Sequence, residues 1–215
     1  GTVLLPSFAV GRSQALMYLL SRLMDEHRIA ELPVFLDSPM AIDVTGVFRH
    51  FRSEHRLTQD ACDRLHAMVT YTRSPEDSEA LASNRYPKII IAGAGMLNGG
   101  RILHHLIAFG ADPRNAVVIA GYQAEGTRGD ALLKGKRSLR IFGRDVPIAC
   151  EIAQVEGLSA HADWKEILDW LRPVDRAPQR VFVTHGEPVA ADSLRQKLEH
   201  ELAWSAQVPE QDEEF

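Results

Sequence analysis

Lys88-Ile89-Ile90-Ile91-Ala92 runs straight into Gly93-Ala94-Gly95-Met96-Leu97-Asn98-Gly99-Gly100. A short β-branched apolar run of this kind reads as a strand buried on both faces, and a helix is predicted to follow from about Arg101 to Phe109. The same strand, loop and helix grammar recurs on both sides. Toward the N-terminus, Val3–Leu5 is a short strand, followed by a helix over about Arg12 to Arg28 with Leu16, Leu19, Leu20 and Leu23 on one face. Pro33–Leu36 is a strand ending at Asp37-Ser38, and Pro39 is well placed as a first helical residue. Helices are predicted over Ala41–Phe51 and Gln59–Met68, the second with Thr58 as N-cap. Val69–Tyr71 is a short strand, and Ser74-Pro75-Glu76-Asp77 opens a small acidic helix. Toward the C-terminus, Ala116–Ala120 is another buried strand, ending in Gly121-Tyr122-Gln123-Ala124-Glu125-Gly126-Thr127. Short alternating units of this kind define an α/β class with an open, mostly parallel sheet flanked by helices.

The pattern changes after Gly135. Leu139 and Ile141 alternate with polar residues, as do Val146, Ile148, Cys150 and Ile152, with Gly143-Arg144-Asp145 between the two runs. This is the arithmetic of a hairpin. Asp163 and Glu166 have capping-box spacing, and Trp164, Ile167, Leu168 and Leu171 form the expected buried stripe of the helix they open. Arg180–Thr184 reads as a strand and Val189–Trp204 as a final helix. From Ser205 onward the chain carries four acids and no base, which reads as a disordered tail. The composition shift near residue 128 is the candidate domain boundary.

Composition narrows the classes. Of 215 residues, 45% are hydrophobic and 25% charged, the balance of an ordinary globular chain with enough length for a core. A formal net charge of −5 excludes a globally basic nucleic-acid clamp, though not a local basic patch. Cys62 and Cys150 form no CxxC and fit a reducing compartment, so a cytoplasmic location is expected. No apolar run reaches membrane-spanning length.

Several residues are candidates for chemistry. His185 follows the strand Val181-Phe182-Val183-Thr184, where open α/β sheets gather ligands, and Gly186 beside it allows close approach to the backbone. His161 lies in Gly157-Leu158-Ser159-Ala160-His161-Ala162-Asp163, just ahead of a helix. Ser159 and His161 would add a hydroxyl and a titratable ring to a helix N-terminus, a combination suited to a phosphate and a leaving group. The other seven histidines read as ordinary; His104 and His105 point about 100° apart on a helix and chelate poorly. The Gly93–Gly100 loop is neither a dinucleotide fingerprint, since Asn98 takes the place of the third glycine, nor a Walker loop. Asn98, Gly99, Gly100 and Arg101 still set backbone amides and a guanidinium at a strand-to-helix junction, and Ser7–Arg12 repeats the idea. From Arg128 to Arg144 there are six bases and one acid, a bias able to track a phosphate backbone or to form a solvated hairpin face.

Taken together, these segments resemble a known family. Ser159-Ala160-His161-Ala162-Asp163 followed by Val183-Thr184-His185-Gly186-Glu187 looks like motifs B and C of the β-CASP branch of metallo-β-lactamase-fold nucleases. Pro6–Gln14, Gly95–Arg101 and Gly121–Thr127 are similar to that group's further patterns. The resemblance implies a β-CASP domain over residues 8–127. Residues 1–7 and 128–204 would be parts of a metallo-β-lactamase domain, the latter as an RNA-specificity segment, and 205–215 the tail. It further implies zinc-dependent RNA hydrolysis, in which two zinc ions take part and a metal-bound hydroxide attacks phosphorus. His185 would be a zinc ligand and His161 the residue that aids proton transfer to the leaving oxygen. Ser159, Arg12, Asn98, Gly99, Arg101 and Arg128 would face phosphate or RNA.

The family's HxHxDH motif occurs nowhere in this sequence. One histidine does not hold a catalytic zinc, which takes about three protein ligands. The chain therefore reads as the C-terminal portion of a longer enzyme, inactive by itself. Its expected partners are RNA, the absent N-terminal half and, as one assembly option, a second copy in a homodimer, with no membrane. Two other classes stand beside this reading: a non-catalytic RNA-binding or scaffold homologue, and an unrelated Rossmann-like nucleotide-binding enzyme.

Overall fold

The computed structural model describes residues 1–214. Its described residues divide into two compact units, the first ending at Ser159 and the second beginning at Ala160.

The first unit is built on strands β1 (Thr2–Pro6), β2 (Val34–Asp37), β3 (Val69–Tyr71), β4 (Lys88–Ala92), β5 (Ala116–Ile119) and β8 (Glu151–Gln154). They form one sheet in the order β3-β2-β4-β1-β5-β8, and every pairing is parallel. The connecting helices are α1 (Arg12–Asp25), α2 (Pro39–His50), α3 (Gln59–Met68), α4 (Pro75–Ser83), α5 (Ile102–Phe109) and α6 (Arg128–Leu133). A hairpin of β6 (Ser138–Ile141) and β7 (Arg144–Pro147) completes the unit.

β4 accounts for the sheet. All five of its residues are buried, and they alternate between two cores. Ile89 and Ile91 pack with Leu5, Leu36, Met17 and Leu65, whereas Ile90 and Ala92 pack with Leu4, Val117, Ile119 and Phe109. A strand with period-two side chains and helices on both faces has no polar side, hence the unbroken isoleucine run. Lys88 is the exception at the strand's start. It is buried, yet its Nζ donates to the carbonyls of Asn84 and Tyr86 and lies 4.9 Å from the Phe109 ring centre. Burial pushes its pKa down.

Local caps fix the helix starts. Ser38, Thr58, Ser74 and Thr127 each accept a hydrogen bond from a first-turn amide, at Ala41, Ala61, Asp77 and Asp130 respectively, the ordinary work of N-cap hydroxyls. In α1 the buried face differs from the leucine stripe read in the sequence. Ser13, Gln14, Leu16, Met17, Ser21 and Met24 are buried, while Leu19, Leu20 and Leu23 are half-exposed. Ser13 and Gln14 turn inward because they bond to the loop before the helix, as described below.

The predicted hairpin also divides. Leu139 pairs with Val146, and Ile141 with Arg144. Ile148 still donates its amide to the Arg137 carbonyl, but the chain then leaves the hairpin: the amides of Ala149 and Cys150 both donate to the Gly110 carbonyl, and Ile152 enters the main sheet opposite Val117.

The second unit contains α7 (Trp164–Leu171), β9 (Val181–Phe182), α8 (Pro188–Leu202) and β10 (Ala206–Gln207). Its core is Leu168, Val183, Ala191, Leu198 and Ala206. Trp164, expected to be buried, is half-exposed and holds the Lys197 ammonium 3.9 Å from its ring centre. The tail is not wholly disordered either: Ala206 and Gln207 pair in parallel with Val181 and Phe182, because a small residue at 206 fits the core of this unit.

Candidate functional site

The sheet topology singles out one place. From β1 the chain moves to β2 on one side of the sheet, and from β4 it moves to β5 on the other. The neighbouring carboxyl ends of β1 and β4 are therefore a switch point, where two loops diverge and leave a crevice. A depression of about 480 Å³ lies there, lined by Ser7, Phe8, Ser38, Met40, Gly93 and Arg101, among others.

Each wall of the crevice is braced from behind. On the β1 side, Ser13 donates to the Phe8 carbonyl at 2.8 Å and to Ser7 Oγ at 3.1 Å. Gln14 Nε2 donates to the Ala9 carbonyl and to Thr45 Oγ1 of α2. On the β4 side, the Ala94 amide donates to the Gly99 carbonyl and the Ile102 amide to the Gly93 carbonyl, which closes the glycine-rich segment into a compact loop. The two walls meet where the Phe8 ring lies over Gly95; a Cβ on that glycine would come within 2.9 Å of the ring.

Arg101 and Asp37 lock the arrangement. Arg101 Nη1 donates to Asp37 Oδ1 at 2.6 Å and to the Thr72 carbonyl, and Nη2 donates to the Arg73 carbonyl. One guanidinium thus joins the ends of β2 and β3 to the loop after β4. Asp37 Oδ2 accepts from Ser78 Oγ at 2.5 Å and from His105 Nε2 at 2.6 Å. Burial alone would raise the Asp37 pKa, but the hydrogen bonds from His105, Ser78 and Arg101 outweigh it and hold the carboxyl below the usual aspartate range. His105, read as ordinary in the sequence, is fully buried at the centre of this network. The available clue was the four-residue spacing of Arg101 and His105, which puts both on one helical face toward a strand-terminal aspartate.

The other phosphate candidates of this unit occupy different settings. Asn98 is exposed on the loop, with Gly99 half-buried beside it, and Arg12 is half-buried at the first position of α1. Arg128 donates from Nε to the Arg140 carbonyl and from Nη1 to the Leu97 carbonyl, binding the hairpin to the glycine-rich loop. Gln123 ties in the third loop through its Nε2, which donates to the Gly95 carbonyl at 3.1 Å. Ser159 is exposed at the end of this unit.

In the second unit, His161 and His185 are both exposed. His185 has a left-handed backbone, φ +64°. Gly186 is closely packed: a Cβ there would lie 3.1 Å from the Ala191 side chain. The N-terminus of α7 is already occupied by its own carboxylates. Asp163 Oδ1 accepts from the Lys165 and Glu166 amides, and Glu166 Oε2 accepts from the Asp163 amide. This capping box satisfies first-turn amides of the helix N-terminus expected to suit a phosphate and adds negative charge beside them. Among the described residues no three His, Cys, Asp or Glu side chains come together to hold a metal ion, so the residues of this chain do not by themselves fit a catalytic zinc. Cys62 and Cys150 are free and buried, and burial raises both thiols.

Comparison with known proteins adds a second line of support. A Beta-Casp domain model matches residues 13–132, and a model described as the Zn-dependent metallo-hydrolase RNA specificity domain matches residues 145–209. The chain is 38% identical over 193 residues to Ribonuclease TTHA0252 of Thermus thermophilus, covering 87% of this chain and 43% of that protein. It is 32% identical over 219 residues to Transcription termination factor FttA of Methanosarcina mazei, covering 94% of this chain and 34% of the factor. An RNase J-like protein of Methanocaldococcus jannaschii is 28% identical over 189 residues, or 87% and 43% of the two chains. The chain thus spans less than half the length of these relatives. The parallel sheet with its crevice at the β1/β4 switch point coincides with a family match over more than half of the sequence, and the chain belongs to the β-CASP family of nucleases.

Proposed function

We propose that this chain is the RNA-handling portion of a zinc-dependent RNA-hydrolysing enzyme. The carrying observation is that one chain joins a Beta-Casp match to an RNA specificity match. In this reading the crevice walls, Asn98, Gly99 and Arg12 face the RNA backbone, while Arg101 and Arg128 hold those walls in position. His185 serves as one zinc ligand, and His161 and Ser159 serve at the scissile phosphate. The remaining zinc ligands come from outside these residues, so the chain alone binds RNA without cutting it. Relatives named as transcription termination factors favour a second reading, in which the same RNA-binding surface serves termination.

The test is to incubate the chain with labelled single-stranded RNA and zinc, following both binding and cleavage. Saturable, salt-sensitive binding without cleavage is expected. Cleavage by the chain alone would overturn the inactive-portion reading, and absence of RNA binding would overturn the functional proposal itself.

A further inference from the structure

The β6–β7 hairpin ends in a two-residue turn, Phe142-Gly143, between the paired residues Ile141 and Arg144. Both turn residues have positive φ, +47° and +76°, as a type I′ turn requires, and such a turn favours Asn at its first position. Phenylalanine there is unfavourable on two counts. A bulky side chain in left-handed backbone is strained, and the ring is 59% exposed, so burial does not offset the strain.

The ring lies against a second ring. The exposed imidazole of His104, on α5, lies with its centre 5.0 Å from that of Phe142 and its plane tilted by 37°. Arginines stand on both strands of the hairpin next to this turn. Arg144 adjoins the turn and is exposed. Arg140 is paired only with the exposed Asp145, at 3.0 Å, a surface pair of little energetic consequence. From residue 125 to 145 there are six bases against three acids, on a chain that is acidic overall. Arg128 ties this hairpin to the glycine-rich loop through the Arg140 and Leu97 carbonyls, so the tip and one wall of the crevice are held together.

We infer that Phe142 and His104 form a stacking platform for an unpaired base of single-stranded RNA, with Arg140 and Arg144 contacting the flanking phosphates. Sequence-tolerant stacking on aromatic rings set among cations is the general means of holding single strands. The inference rests on the RNA-handling reading above and adds a second place of contact to it, away from the switch-point crevice.

The test measures binding of a fluorescein-labelled oligouridylate by anisotropy across a salt series, alongside thermal unfolding. Phe142→Asn removes the ring while supplying the residue the turn prefers, so the variant is expected to unfold no earlier than the native chain. Its affinity is expected to fall on the order of tenfold, with Phe142→Trp retaining affinity. Arg144→Gln is expected to lower the salt slope by about one. If the native chain binds RNA and Phe142→Asn binds equally well, the platform is wrong while the RNA-handling reading stands. If the native chain does not bind RNA, that reading itself fails. If poly-glutamate binds with the same dependence on Phe142, the tip is a site for an acidic protein and the inference is overturned.

Discussion

Oδ2 of Asp37 accepts a hydrogen bond from Nε2 of His105 at 2.6 Å, and both side chains are fully buried. Because Arg101 holds the other carboxylate oxygen at 2.6 Å, the end of β2 is joined to both the start and the middle of α5. Removing one member of such a buried group leaves charge without compensation, at a cost of about 3–5 kcal/mol. Asp37→Ala is expected to lower the urea midpoint of the first unit accordingly, whereas Ser78→Ala, which deletes one donor to the carboxylate, is expected to cost less, about 1.5–3 kcal/mol. Equal effects of the two substitutions would show that the carboxylate is not the centre of the network.

The same carboxylate sets a pH dependence. Its pKa in the folded chain lies below the ordinary value of 3.8, so the unfolded chain takes up the proton first as pH falls. Stability from this group is complete above about pH 4 and is lost as pH drops toward the folded value. Acid unfolding of Asp37→Asn is therefore expected to be flatter than that of the native chain below about pH 4, with no difference in slope at neutral pH. Parallel curves in acid would remove Asp37 as the source.

The glycine-rich loop tests whether backbone closure shapes the crevice. Gly100 has φ +74°, and a Cβ there would lie 2.3 Å from the Gly93 carbonyl oxygen and 2.8 Å from the Ala94 nitrogen, both backbone atoms. Gly100→Ala cannot be accommodated by a side-chain adjustment and is expected to cost roughly 1–3 kcal/mol and to weaken RNA binding. Gly99→Ala meets nothing within 4 Å and is expected to preserve stability. The contrast between adjacent glycines, read by denaturation, separates loop closure from a general sensitivity of the segment.

How far these features were legible in the sequence depended on the range of the forces behind them. β4 was readable because burial on both faces leaves its mark on five consecutive residues. The capping box at Asp163 and Glu166 was readable because it is complete within four residues. The Asp37–His105 network was not, since its partners are 68 positions apart and the shared helical face of Arg101 and His105 does not say which carboxylate they meet. The inward turn of Ser13 and Gln14 was missed for a related reason: a polar residue reads as exposed until the carbonyls that accept from it are in place. Ile152 kept the alternation of the hairpin because a sheet strand and a hairpin strand share period two, so the pattern does not reveal which partner is taken. The zinc role proposed for His185 and the leaving-group role proposed for His161 rest on their places after a strand and before a helix and on motif resemblance; their exposure does not separate them from the other exposed histidines.

The tail offers the remaining test, because an acidic segment read as disordered contributes a strand. The Val181 amide donates to the Ser205 carbonyl and the Val183 amide to the Gln207 carbonyl, each at 2.9 Å. Ala206 packs into the small core with Leu168, Val183, Ala191 and Leu198. β9 is only two residues long and leads within three residues to His185, so β10 is what gives that strand its hydrogen-bonded partner. Truncation after Trp204 is expected to abolish amide-exchange protection at Val181 and Val183 and to lower the stability of the second unit, while truncation after Val208 is expected to leave both intact. The acids at Glu210, Asp212, Glu213 and Glu214 are absent from both truncated chains, so any difference between them belongs to residues 205–208 and not to the charge of the tail. Unchanged exchange at Val181 and Val183 in the shorter chain would mean that β9 is held without β10, and that the segment before His185 takes its order from elsewhere in the unit.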